Sequence, residues 1–513
     1  MHPIAHAAKR PDHPAVIMAG SGAQMTYREM DETANRFSQL LRASGFKTDE
    51  AFAVLLENRI EYFTLIWGSQ RTGTLLVPIS TRLTAPEISY ILKDSEAKLL
   101  ITSHAFDGVM EDIRSNCPDL DVLMIDDGDS KEDFDAALAA HPAEPIADQR
   151  AGATMLYSSG TTGRPKGIRP APPEDPDPQA MIPFIGLATM GAGMPTDGTM
   201  VYLSPAPLYH AAPLAWCSAA QRLGGTLVVL EKFDPEGALA AIEKYQITDS
   251  QWVPTHFVRF LKLDPAIRSR YDLSSHKRAL HAAAPCPVPI KREMIEWWGP
   301  IVNEYYAGSE GIGMTMINSA DWLEHPGSVG RTIYGTLHVC GPDGEEVSIG
   351  EDGLIYFENV LLPTYHNDPD KTAEAMHPKG WMTLGDIGHV DQDGFVFLTD
   401  RKSHMIISGG VNIYPQEIEN LLVTHDKVMD AAVIGAPDRD LGEKVVAVVQ
   451  PVDMGNAGDT LEAELREFLE PNLARIKMPK LFDFRPDLPR EANGKLYKRE
   501  LRDEFEAKAQ EDA

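Results

Sequence analysis

Residues 157–168 have the sequence YSSGTTGRPKGI, which combines small, hydroxyl-bearing residues with a single lysine. Glycines let backbone N–H groups approach an anion closely, and serine and threonine hydroxyls add hydrogen-bond donors. Lys166 contributes a positive charge. The stretch therefore predicts a phosphate-binding loop, whose small and polar members are Ser158, Ser159, Gly160, Thr161, Thr162 and Gly163.

This loop differs from two common nucleotide-binding patterns. A Walker A loop has the form Gly-x-x-x-x-Gly-Lys-Ser/Thr. Counted from Gly160, the position of the second glycine holds Pro165, and Lys166 is followed by Gly167 instead of serine or threonine. The dinucleotide pattern Gly-x-Gly-x-x-Gly does not fit the loop either. A different phosphate chemistry is indicated.

Length and charge limit the classes of function. The chain has 513 residues and a formal net charge of −29. A chain of this length exceeds one ordinary hydrophobic core, so we expect two or more domains. The charge argues against nucleic acid as a partner and disfavours attachment to anionic membranes. An anionic substrate would therefore need a locally basic pocket rich in N–H groups.

Cysteine usage and the amino-terminal sequence predict a cytoplasmic protein. The cysteines are scattered, without Cys-x-x-Cys spacing, at Cys117, Cys217, Cys286 and Cys340. This pattern is typical of buried thiols in a reducing compartment. The start of the chain, MHPIAHAAKRPDHP, lacks the apolar core of a secretory signal, and no apolar run approaches membrane-spanning length.

The first third of the chain alternates helix and strand signals. Capping-box patterns at Thr26-x-x-Glu29 and Thr84-x-x-Glu87 each precede a helical stretch. Short apolar runs predict buried strands at FAVLLEN (52–58), TLLVPIS (74–80), KLLIT (98–102) and VLMID (122–126). Helix and buried strand in turn predict βαβ units and a mainly parallel sheet.

Two later segments bear on the domain organisation. RPAPPEDPDPQA (169–180) has five prolines, so it predicts an exposed loop. LTDRKSHMIISGGVNIYP (398–415) separates β-rich sequence from a compact tail and is the predicted domain junction. The tail contains the apolar run VVAVVQP (445–451), a helical pattern at 460–475 and the stretch LFDFRPDLP (481–489).

Four charged residues stand on glycine-rich or turn-like stretches. They are Glu310 in NEYYAGSEG (303–311), Asp386 in WMTLGDIG (381–388), Arg401 in DRKSHMIISGG (400–410) and Lys495 in LPREANGKLYKREL (488–501). Each stretch alone is more typical of a solvated turn or a surface ion pair, because short motifs often match by chance.

Together and in this order, the stretches resemble the adenylate-forming superfamily, especially its acyl-CoA synthetases. The resemblance extends from about Thr26 to Leu501, and its most specific marks are YSSGTTGRPKG and GGVNIYPQEIE (409–419). It implies an α/β protein with a large N-terminal domain of mainly parallel sheets flanked by helices, a β-rich subdomain, and a small mobile α+β C-terminal domain. We expect the adenylation domain at 1–400 and the C-terminal domain at 401–513.

The resemblance implies an AMP-forming acid–thiol ligase. A carboxylic acid would react with ATP to give an acyl-adenylate and pyrophosphate, and the acyl group would then pass to coenzyme A with release of AMP. A free carboxylate is a poor acylating agent because oxide is a poor leaving group, and the acyl-phosphate anhydride removes that obstacle. Positive charge and aligned N–H donors offset the repulsion between the carboxylate and the α-phosphate.

The resemblance also implies roles for individual residues in nucleotide binding. The loop residues that correspond to the β- and γ-phosphate site are Ser158, Ser159, Gly160, Thr161, Thr162 and Lys166. The residues that correspond to the adenosine site are Ala283, Ala284, Pro285, Tyr306, Ser309, Asp386 and Arg401. In the family, the residue at Tyr306 stacks on adenine, and the residues at Asp386 and Arg401 contact the ribose. Glu310 matches the Mg²⁺ carboxylate, since a hard oxygen suits that ion. Lys495 matches the catalytic lysine that contacts the carboxylate and the α-phosphate.

Further positions correspond to the acyl and coenzyme A sites. The acyl pocket corresponds to His210, Ala211, Ala212, Trp216 and Gly308, with His210 at its mouth. Gly409 and Gly410 correspond to the coenzyme A tunnel, where the lack of Cβ permits close approach. In the family the small domain rotates between half-reactions, and the hinge position, usually Asp or Lys, is Ser403 here. The resemblance implies a catalytic set of Lys495, Glu310, Thr161 and His210.

The small side chains of the acyl pocket favour a bulky or medium- to long-chain apolar acid: fatty, alicyclic or steroid-like. Trp216 would shorten such a pocket. An aryl-acid CoA ligase and acyl transfer to a carrier protein remain alternatives, as do a luciferase-like oxidase and a regulatory nucleotide-binding protein. The retention of Glu310, Asp386 and Lys495 together disfavours the last of these. The expected partners are small-molecule substrates, and nucleic acid is not expected as a partner. A homodimer is a further expectation.

Overall fold

The computed structural model describes residues 2–126, 128, 130–158, 165–490 and 496–511, with only the backbone for 509–511. Several predicted site residues lie outside the described residues: Ser159, Gly160, Thr161, Thr162 and Lys495.

The first part of the chain alternates helices and strands as predicted. Its strands are β1 (Pro14–Met18), β2 (Gln24–Thr26), β3 (Ala51–Leu55), β4 (Leu75–Pro78), β5 (Leu99–Ser103), β6 (Asp121–Ile125), β7 (Ala153–Thr154) and β8 (Leu156–Ser158). Its helices are α1 (Pro3–Lys9), α2 (Tyr27–Ala43), α3 (Glu61–Thr72), α4 (Ala85–Asp94), α5 (Asp107–Asn116) and α6 (Phe134–Ala139).

The middle of the chain continues this alternation. Its strands are β9 (Lys166–Arg169), β10 (Val201–Ser204), β11 (Thr226–Val229), β12 (Asp249–Trp252), β13 (Arg278–His281), β14 (Val302–Ala307) and β15 (Met314–Ile317). Its helices are α7 (Pro183–Gly186), α8 (Ala211–Arg222), α9 (Pro235–Tyr245), α10 (Pro254–Leu261), α11 (Pro265–Arg268) and α12 (Val288–Trp298), with a π-helical turn at Leu187–Gly191.

A β-rich segment and a small C-terminal part follow. The β-rich segment has α13 (Ser319–Glu324), β16 (Ser328–Tyr334), β17 (Thr336–Cys340), β18 (Gly353–Glu358), β19 (Thr364–Tyr365), α14 (Pro369–Glu374), β20 (Met382–Val390) and β21 (Val396–Arg401). The C-terminal part has β22 (Ile406–Ser408), β23 (Val411–Ile413), α15 (Pro415–Leu422), β24 (Val428–Asp438), β25 (Gly442–Pro451), α16 (Asp459–Leu469), β26 (Leu481–Phe484) and α17 (Lys498–Glu511).

Two large sheets carry the N-terminal part. One has the order β6-β5-β3-β4-β7, and all of its pairings are parallel. Its central strands are buried on both faces, which explains the continuous apolar runs in their sequences. The other has thirteen strands in the order β17-β18-β20-β21-β16-β15-β14-β13-β12-β10-β11-β1-β2. It is parallel from β1 to β14 and antiparallel from β14 to β17, so one sheet contains both the α/β core and the β-rich segment.

Two smaller sheets complete the fold. β8, β9 and β19 form a three-stranded antiparallel sheet beside the predicted phosphate loop. The C-terminal part has its own sheet, in which β24 pairs with β25 and β22 joins β23 to β25. A separate apolar core lies under this sheet and includes Ile418, Leu422 and Leu465. The predicted fold class is confirmed, while the boundary between residues 400 and 401 stays a prediction.

Local signals in the sequence are reproduced in the structure. Thr26 caps α2 with both reciprocal hydrogen bonds of a capping box, and Thr84 caps α4 in the same way. Residues 172–177 of the proline-rich stretch are exposed and form neither helix nor strand. The cysteines are free thiols. Among the described residues, none of the helices combines the length and apolar character that a membrane crossing requires.

Candidate active site

A cavity of about 1310 Å³ collects the predicted nucleotide and acyl residues that the structure describes. Its walls come from the carboxyl ends of parallel strands, from the β-rich segment and from the C-terminal part. The predicted site residues on its walls are Ser158, Lys166, His210, Ala211, Ala212, Trp216, Ala283, Ala284, Pro285, Tyr306, Gly308, Ser309, Glu310, Asp386, Arg401 and Ser403. Clefts at the carboxyl ends of parallel strands are the usual ligand sites of α/β folds.

The base of the phosphate loop is a β-hairpin. Ser158 at the end of β8 pairs with Lys166 at the start of β9, and the predicted phosphate-binding residues between them lie outside the described residues. The Lys166 ammonium lies 3.6 Å from a carboxylate oxygen of Asp368, the N-cap residue of α14. Lys166 therefore lines the cavity, and its ammonium group has an acidic partner in Asp368.

The predicted adenine turn follows β13 directly. Ala283 has a φ of 78°, in the left-handed region that residues with a Cβ rarely adopt. Ala284 and Pro285 continue the turn along the cavity wall. Such strained backbone costs about 1 kcal/mol or more and is concentrated at ligand sites, so this turn has the character expected of a binding segment.

Asp386 joins two other predicted residues of the nucleotide site. One of its carboxylate oxygens accepts a hydrogen bond from Tyr306 Oη at 2.7 Å, and the other accepts from Arg401 Nε at 2.9 Å. Asp386 and Arg401 are opposite each other on β20 and β21. Burial and the Asp386 carboxylate raise the pKa of Tyr306 well above its usual value, so the phenol stays protonated as a donor. Asp386 raises the pKa of Arg401, which keeps the guanidinium charged.

Glu310, the predicted metal carboxylate, lies on the turn after β14. Its Oε1 accepts a hydrogen bond from Tyr365 Oη at 3.0 Å. A Cβ on Gly308 would come within 2.8 Å of Glu310 Oε2, so glycine leaves space for this carboxylate. Ser309, between them, is exposed and lines the same cavity. The carboxylate offers hard oxygen atoms in the same cavity as the described ends of the phosphate loop, and such oxygen atoms suit Mg²⁺.

The predicted acyl pocket combines small and aromatic walls. His210 precedes α8 as its N-cap residue, and Ala211 and Ala212 are in the first turn of that helix. One turn further, Trp216 is 1% exposed and contacts Phe184 edge-to-face at 4.9 Å between ring centroids. The centroid of the Trp216 ring also lies 5.4 Å from that of Tyr305. The Tyr305 hydroxyl accepts a hydrogen bond from Gln251 Nε2 at 2.7 Å. These aromatic rings line the same pocket as the small residues.

The predicted tunnel glycines do not line this cavity. Gly409 and Gly410 connect β22 to β23, and Ser408 pairs with Val411 across them. Their φ angles are 57° and 79°, and a two-residue hairpin with positive φ at both positions is the type I′ arrangement that favours glycine. The turn by itself accounts for both glycines, and their role at coenzyme A stays a prediction.

The predicted hinge residue lies between the two parts of the molecule. Ser403 follows β21 and lines the cavity, and its carbonyl accepts from Arg502 Nη1 of α17 at 3.1 Å. Just before it, Asp400 accepts from the backbone N–H of Gln416, in the first turn of α15, at 3.0 Å. The described conformation thus holds the C-terminal part against the end of the large sheet.

Residues next to Lys495 lie on the cavity wall. Arg490 and Leu496, on either side of the undescribed residues 491–495, form an antiparallel bridge and both line the cavity. Lys498 also lines it and is ion-paired with Glu419 at 2.7 Å. The C-terminal part therefore contributes walls to the same cavity as the nucleotide residues.

Sequence reasoning missed several residues of the site. They are Tyr157, Phe184, Gln251, Tyr305, Tyr365, Asp368, Arg490 and Lys498. Asp368 before Pro369 is a helix-start signal that could have been recognised from sequence. The contact of Tyr365 with Glu310 joins distant parts of the chain, and no local pattern announces it.

Comparison with known protein families identifies both parts of the chain. Residues 4–362 match the family model described as AMP-binding enzyme. Residues 417–495 match the model described as AMP-binding enzyme C-terminal domain.

Individual relatives match over nearly their whole length. A long-chain-fatty-acid–CoA ligase of Mycobacterium tuberculosis is 30% identical, with 96% of this chain and 95% of the relative covered. A fatty acid–[acyl-carrier-protein] ligase of Streptomyces coeruleorubidus is 31% identical over 98% and 95%. A feruloyl-CoA synthase of an Amycolatopsis species is 32% identical over 98% of both chains. ATP-bound MatB from Rhodopseudomonas palustris is a structural neighbour with a TM-score of 0.82, 27% identity, and 98% and 99% coverage.

Proposed function

The chain belongs to the AMP-binding enzyme family, and we propose that its cavity joins a carboxylic acid to coenzyme A through an acyl-adenylate. The activity is that of an AMP-forming acyl-CoA synthetase, an acid–thiol ligase that uses ATP. This proposal rests on the observation that charged residues from distant parts of the chain line one cavity. Lys166, Glu310, Asp386 and Arg401 come from separate strands and turns, and all four line one cavity.

The first half-reaction brings two anions together. A carboxylate oxygen of the acid attacks the α-phosphorus of ATP, and pyrophosphate leaves with the electrons of the broken P–O bond. Positive charge must offset the repulsion in the transition state. Lys166 and Arg401 supply charge on the described wall, and Lys495 is proposed to contact the carboxylate and the α-phosphate.

Nucleotide orientation is proposed to depend on Asp386. Each carboxylate oxygen has two lone pairs, and one on each oxygen is used by Tyr306 or Arg401. The remaining lone pairs can accept hydrogen bonds from the two ribose hydroxyls. Tyr306 lines the same cavity as this carboxylate and the turn at Ala283, which supports its assignment to the adenine.

Mg²⁺ is proposed to bind at Glu310. The residue offers a carboxylate at the cavity wall, and phosphate oxygens and water would complete the oxygen ligands that this ion prefers. When bound, the ion neutralises part of the triphosphate charge. Glu310 would supply a carboxylate oxygen to the ion, and its Oε1 already accepts a hydrogen bond from Tyr365 Oη.

The second half-reaction transfers the acyl group. The thiol sulfur of coenzyme A attacks the acyl carbonyl carbon, its proton is released, and AMP leaves with the electrons of the acyl–oxygen bond. Lys495 must leave the site to admit the thiol, so we propose rotation of the C-terminal part about Ser403. A hinge requires backbone freedom more than a particular side chain, which is why serine is acceptable there.

The acid is proposed to be bulky and apolar: fatty, alicyclic or steroid-like. Ala211 and Ala212 have small side chains that leave space at the pocket wall, and Gly308 also lines the cavity. Trp216 and Tyr305 form a buried aromatic part of the pocket wall. This aromatic wall limits the depth of the pocket and offers apolar surface against which an aliphatic chain or a saturated ring can pack.

Acyl transfer to a carrier protein remains the second candidate. One relative is named as an acyl-carrier-protein ligase, at an identity similar to that of the CoA ligases. The predicted motif at 409–419 favours coenzyme A. The dependence of AMP formation on the thiol acceptor distinguishes the two.

Pyrophosphate release across a panel of acids tests the proposal. We expect release with dodecanoate, cyclohexanecarboxylate or cholate, little with acetate, and AMP formation that requires coenzyme A. A clear preference for acetate or for benzoate and ferulate would contradict the acid class. Absence of release with every acid would contradict the function, and AMP formation with a carrier protein but not coenzyme A would support the second candidate.

We also propose a cytoplasmic location, small-molecule substrates and no nucleic-acid partner. Free cysteines, among them the buried Cys217 and Cys340, suit a reducing compartment. The homodimer stays a prediction, which size-exclusion chromatography with light scattering would test.

A further inference from the structure

A short segment, residues 364–368, lies against the phosphate loop from a distant part of the chain. Thr364 pairs with Arg169, and Tyr365 pairs with Ile168, so β19 extends the β8–β9 hairpin. The next backbone N–H, that of His366, donates to Gly167 O at 2.7 Å. We name residues 364–368 the strap.

The strap is anchored independently of any ligand. His366 Nε2 lies 3.0 Å from Asp94 O at the end of α4, and Asn367 Nδ2 donates to the same carbonyl at 3.3 Å. Asp94 also accepts from Tyr157 Oη at 2.7 Å, at the entrance to the phosphate loop. Tyr365 N donates to Thr372 Oγ1 at 3.0 Å. The strap is therefore fixed to the N-terminal part before substrates bind.

Two strap side chains contact charged groups of the nucleotide site. Tyr365 Oη donates to Glu310 Oε1 at 3.0 Å, and Asp368 lies 3.6 Å from Lys166 Nζ. Within the described part of the chain, the phenol of Tyr365 is the side chain that hydrogen-bonds the Glu310 carboxylate. One rigid segment thus links the proposed metal carboxylate to the loop that is proposed to hold the phosphates.

We propose that Tyr365 is a positioning residue that sets the orientation of Glu310 for the metal–triphosphate complex. The inference rests on the proposed function. The phenol occupies one lone pair of Oε1 and leaves Oε2 and the other lone pairs for the ion. It also restricts the rotamers of a long side chain, so less conformational entropy is lost when the ion binds.

The demand for orientation comes from the chemistry of the ion. Mg²⁺ requires near-octahedral geometry and binds through few protein carboxylates, so each must be well placed. Hydrogen bonds that orient a metal-ligating carboxylate typically change metal affinity about 10- to 100-fold. Tyr365 donates to Glu310 Oε1, so it would act on a bound ion through this carboxylate and not as a ligand itself.

Replacement of Tyr365 by phenylalanine removes only the hydroxyl. We expect the Mg²⁺ concentration for half-maximal ATP binding, measured by calorimetry without acid or coenzyme A, to rise about 10-fold or more in Tyr365→Phe. AMP binding without metal should change little. The matched control is Tyr356→Phe on β18, because Tyr356 does not line the cavity and should keep the wild-type Mg²⁺ dependence.

A double-mutant cycle with Glu310→Gln tests the route of the effect. If Tyr365 acts through Glu310, its replacement should add almost nothing in the Glu310→Gln background. An equal shift in both backgrounds would overturn the inference, and so would an unchanged Mg²⁺ dependence in Tyr365→Phe. Wild-type protein without any Mg²⁺-dependent ATP binding would instead overturn the proposed function, so the two failures are distinguishable.

Discussion

Asp386 has two side-chain partners that serve the same proposed site. Tyr306 and Arg401 each donate to one oxygen of its carboxylate, and Asp386 itself is 6% exposed. A buried carboxylate costs free energy unless it is paired and hydrogen-bonded, and this one is both. Its two remaining acceptor positions can accept hydrogen bonds from the hydroxyls of a ribose diol, which is the basis of its proposed role in nucleotide binding.

Replacement of Asp386 by asparagine keeps the shape and removes the charge. We expect ATP affinity to fall roughly 30-fold, because a lost charged hydrogen bond with an unpaired buried partner costs about 2 kcal/mol. Isothermal calorimetry with ATP measures the change. Asp352→Asn is the control, since Asp352 also accepts from Thr399 and contacts His389 but does not line the cavity. Equal affinities of the Asp386 variant and wild type would contradict the ribose assignment.

Among the elements, helices α2 and α3 show how sequence and packing combine. The capping box at Thr26 starts α2, and its buried face includes Ala34 and Phe37. Gly68 of α3 contacts this face so closely that an added Cβ would lie 2.5 Å from Phe37 Cδ1 and 3.2 Å from Ala34 O. The glycine is therefore required by helix–helix contact, although glycine is a poor helix former.

Two glycine-to-alanine substitutions should have opposite effects. Gly68→Ala should lower the free energy of unfolding by about 1–3 kcal/mol, because overpacking outweighs the gain in helix propensity. Gly108→Ala in α5 should be neutral or stabilising, since nothing lies within 4 Å of the added Cβ. Thermal unfolding midpoints of both variants against wild type give the comparison. A midpoint for Gly68→Ala at or above that of Gly108→Ala would be inconsistent with this packing.

At the scale of the whole molecule, the cavity is shared between the two parts of the chain. Arg490, Leu496 and Lys498 line it from the C-terminal part. Asp400, at the end of the large sheet, accepts hydrogen bonds from the N–H groups of Arg401 and Gln416. These contacts hold the C-terminal part in the pose in which the neighbours of Lys495 face the nucleotide residues.

Replacement of Lys495 by alanine should separate the two half-reactions. We expect loss of pyrophosphate release from acid and ATP, because the cation proposed at the α-phosphate is gone. Thioester formation from supplied acyl-adenylate and coenzyme A should persist near the wild-type rate. Lys480→Ala, at an exposed position, is the control. Equal loss of both half-reactions would argue against a C-terminal part that rotates between two poses.

Acid should loosen the junction at Asp400. Burial acts to raise the pKa of this carboxyl, but His404, Lys498 and the N–H groups of Gln416 and Arg401 together hold it below its ordinary value of 3.8. A depressed carboxyl pKa contributes stability that is present above pH 3.8 and is lost as pH falls through the lower folded value.

The corresponding measurement compares Asp400→Asn with wild type across pH. The variant should unfold at a lower temperature at pH 7, and the difference between the two midpoints should shrink as pH falls below about 4. Asp352→Asn is the control for general effects of charge. A difference that stays constant from pH 7 to pH 3 would mean that the Asp400 charge does not stabilise the junction.

The sequence by itself determined features that depend on neighbouring residues. Capping boxes at Thr26 and Thr84, buried strands with continuous apolar runs, and the exposed proline-rich stretch were all predictable, because their causes act within a few residues. The motif resemblance also predicted the family, while the roles of individual site residues stay predictions.

Only the tertiary structure decided the contacts between distant segments. The hydrogen bond from Tyr365 to Glu310, the proximity of Asp368 to Lys166 and the aromatic wall at Trp216 depend on how separate elements pack. Gly409 and Gly410 also show what sequence cannot decide. Their positive φ angles in a hairpin turn explain why glycine occupies both positions without a ligand. Hydrogen bonds and packing depend on positions in space, and sequence spacing constrains those positions only within a helix, a strand or a turn.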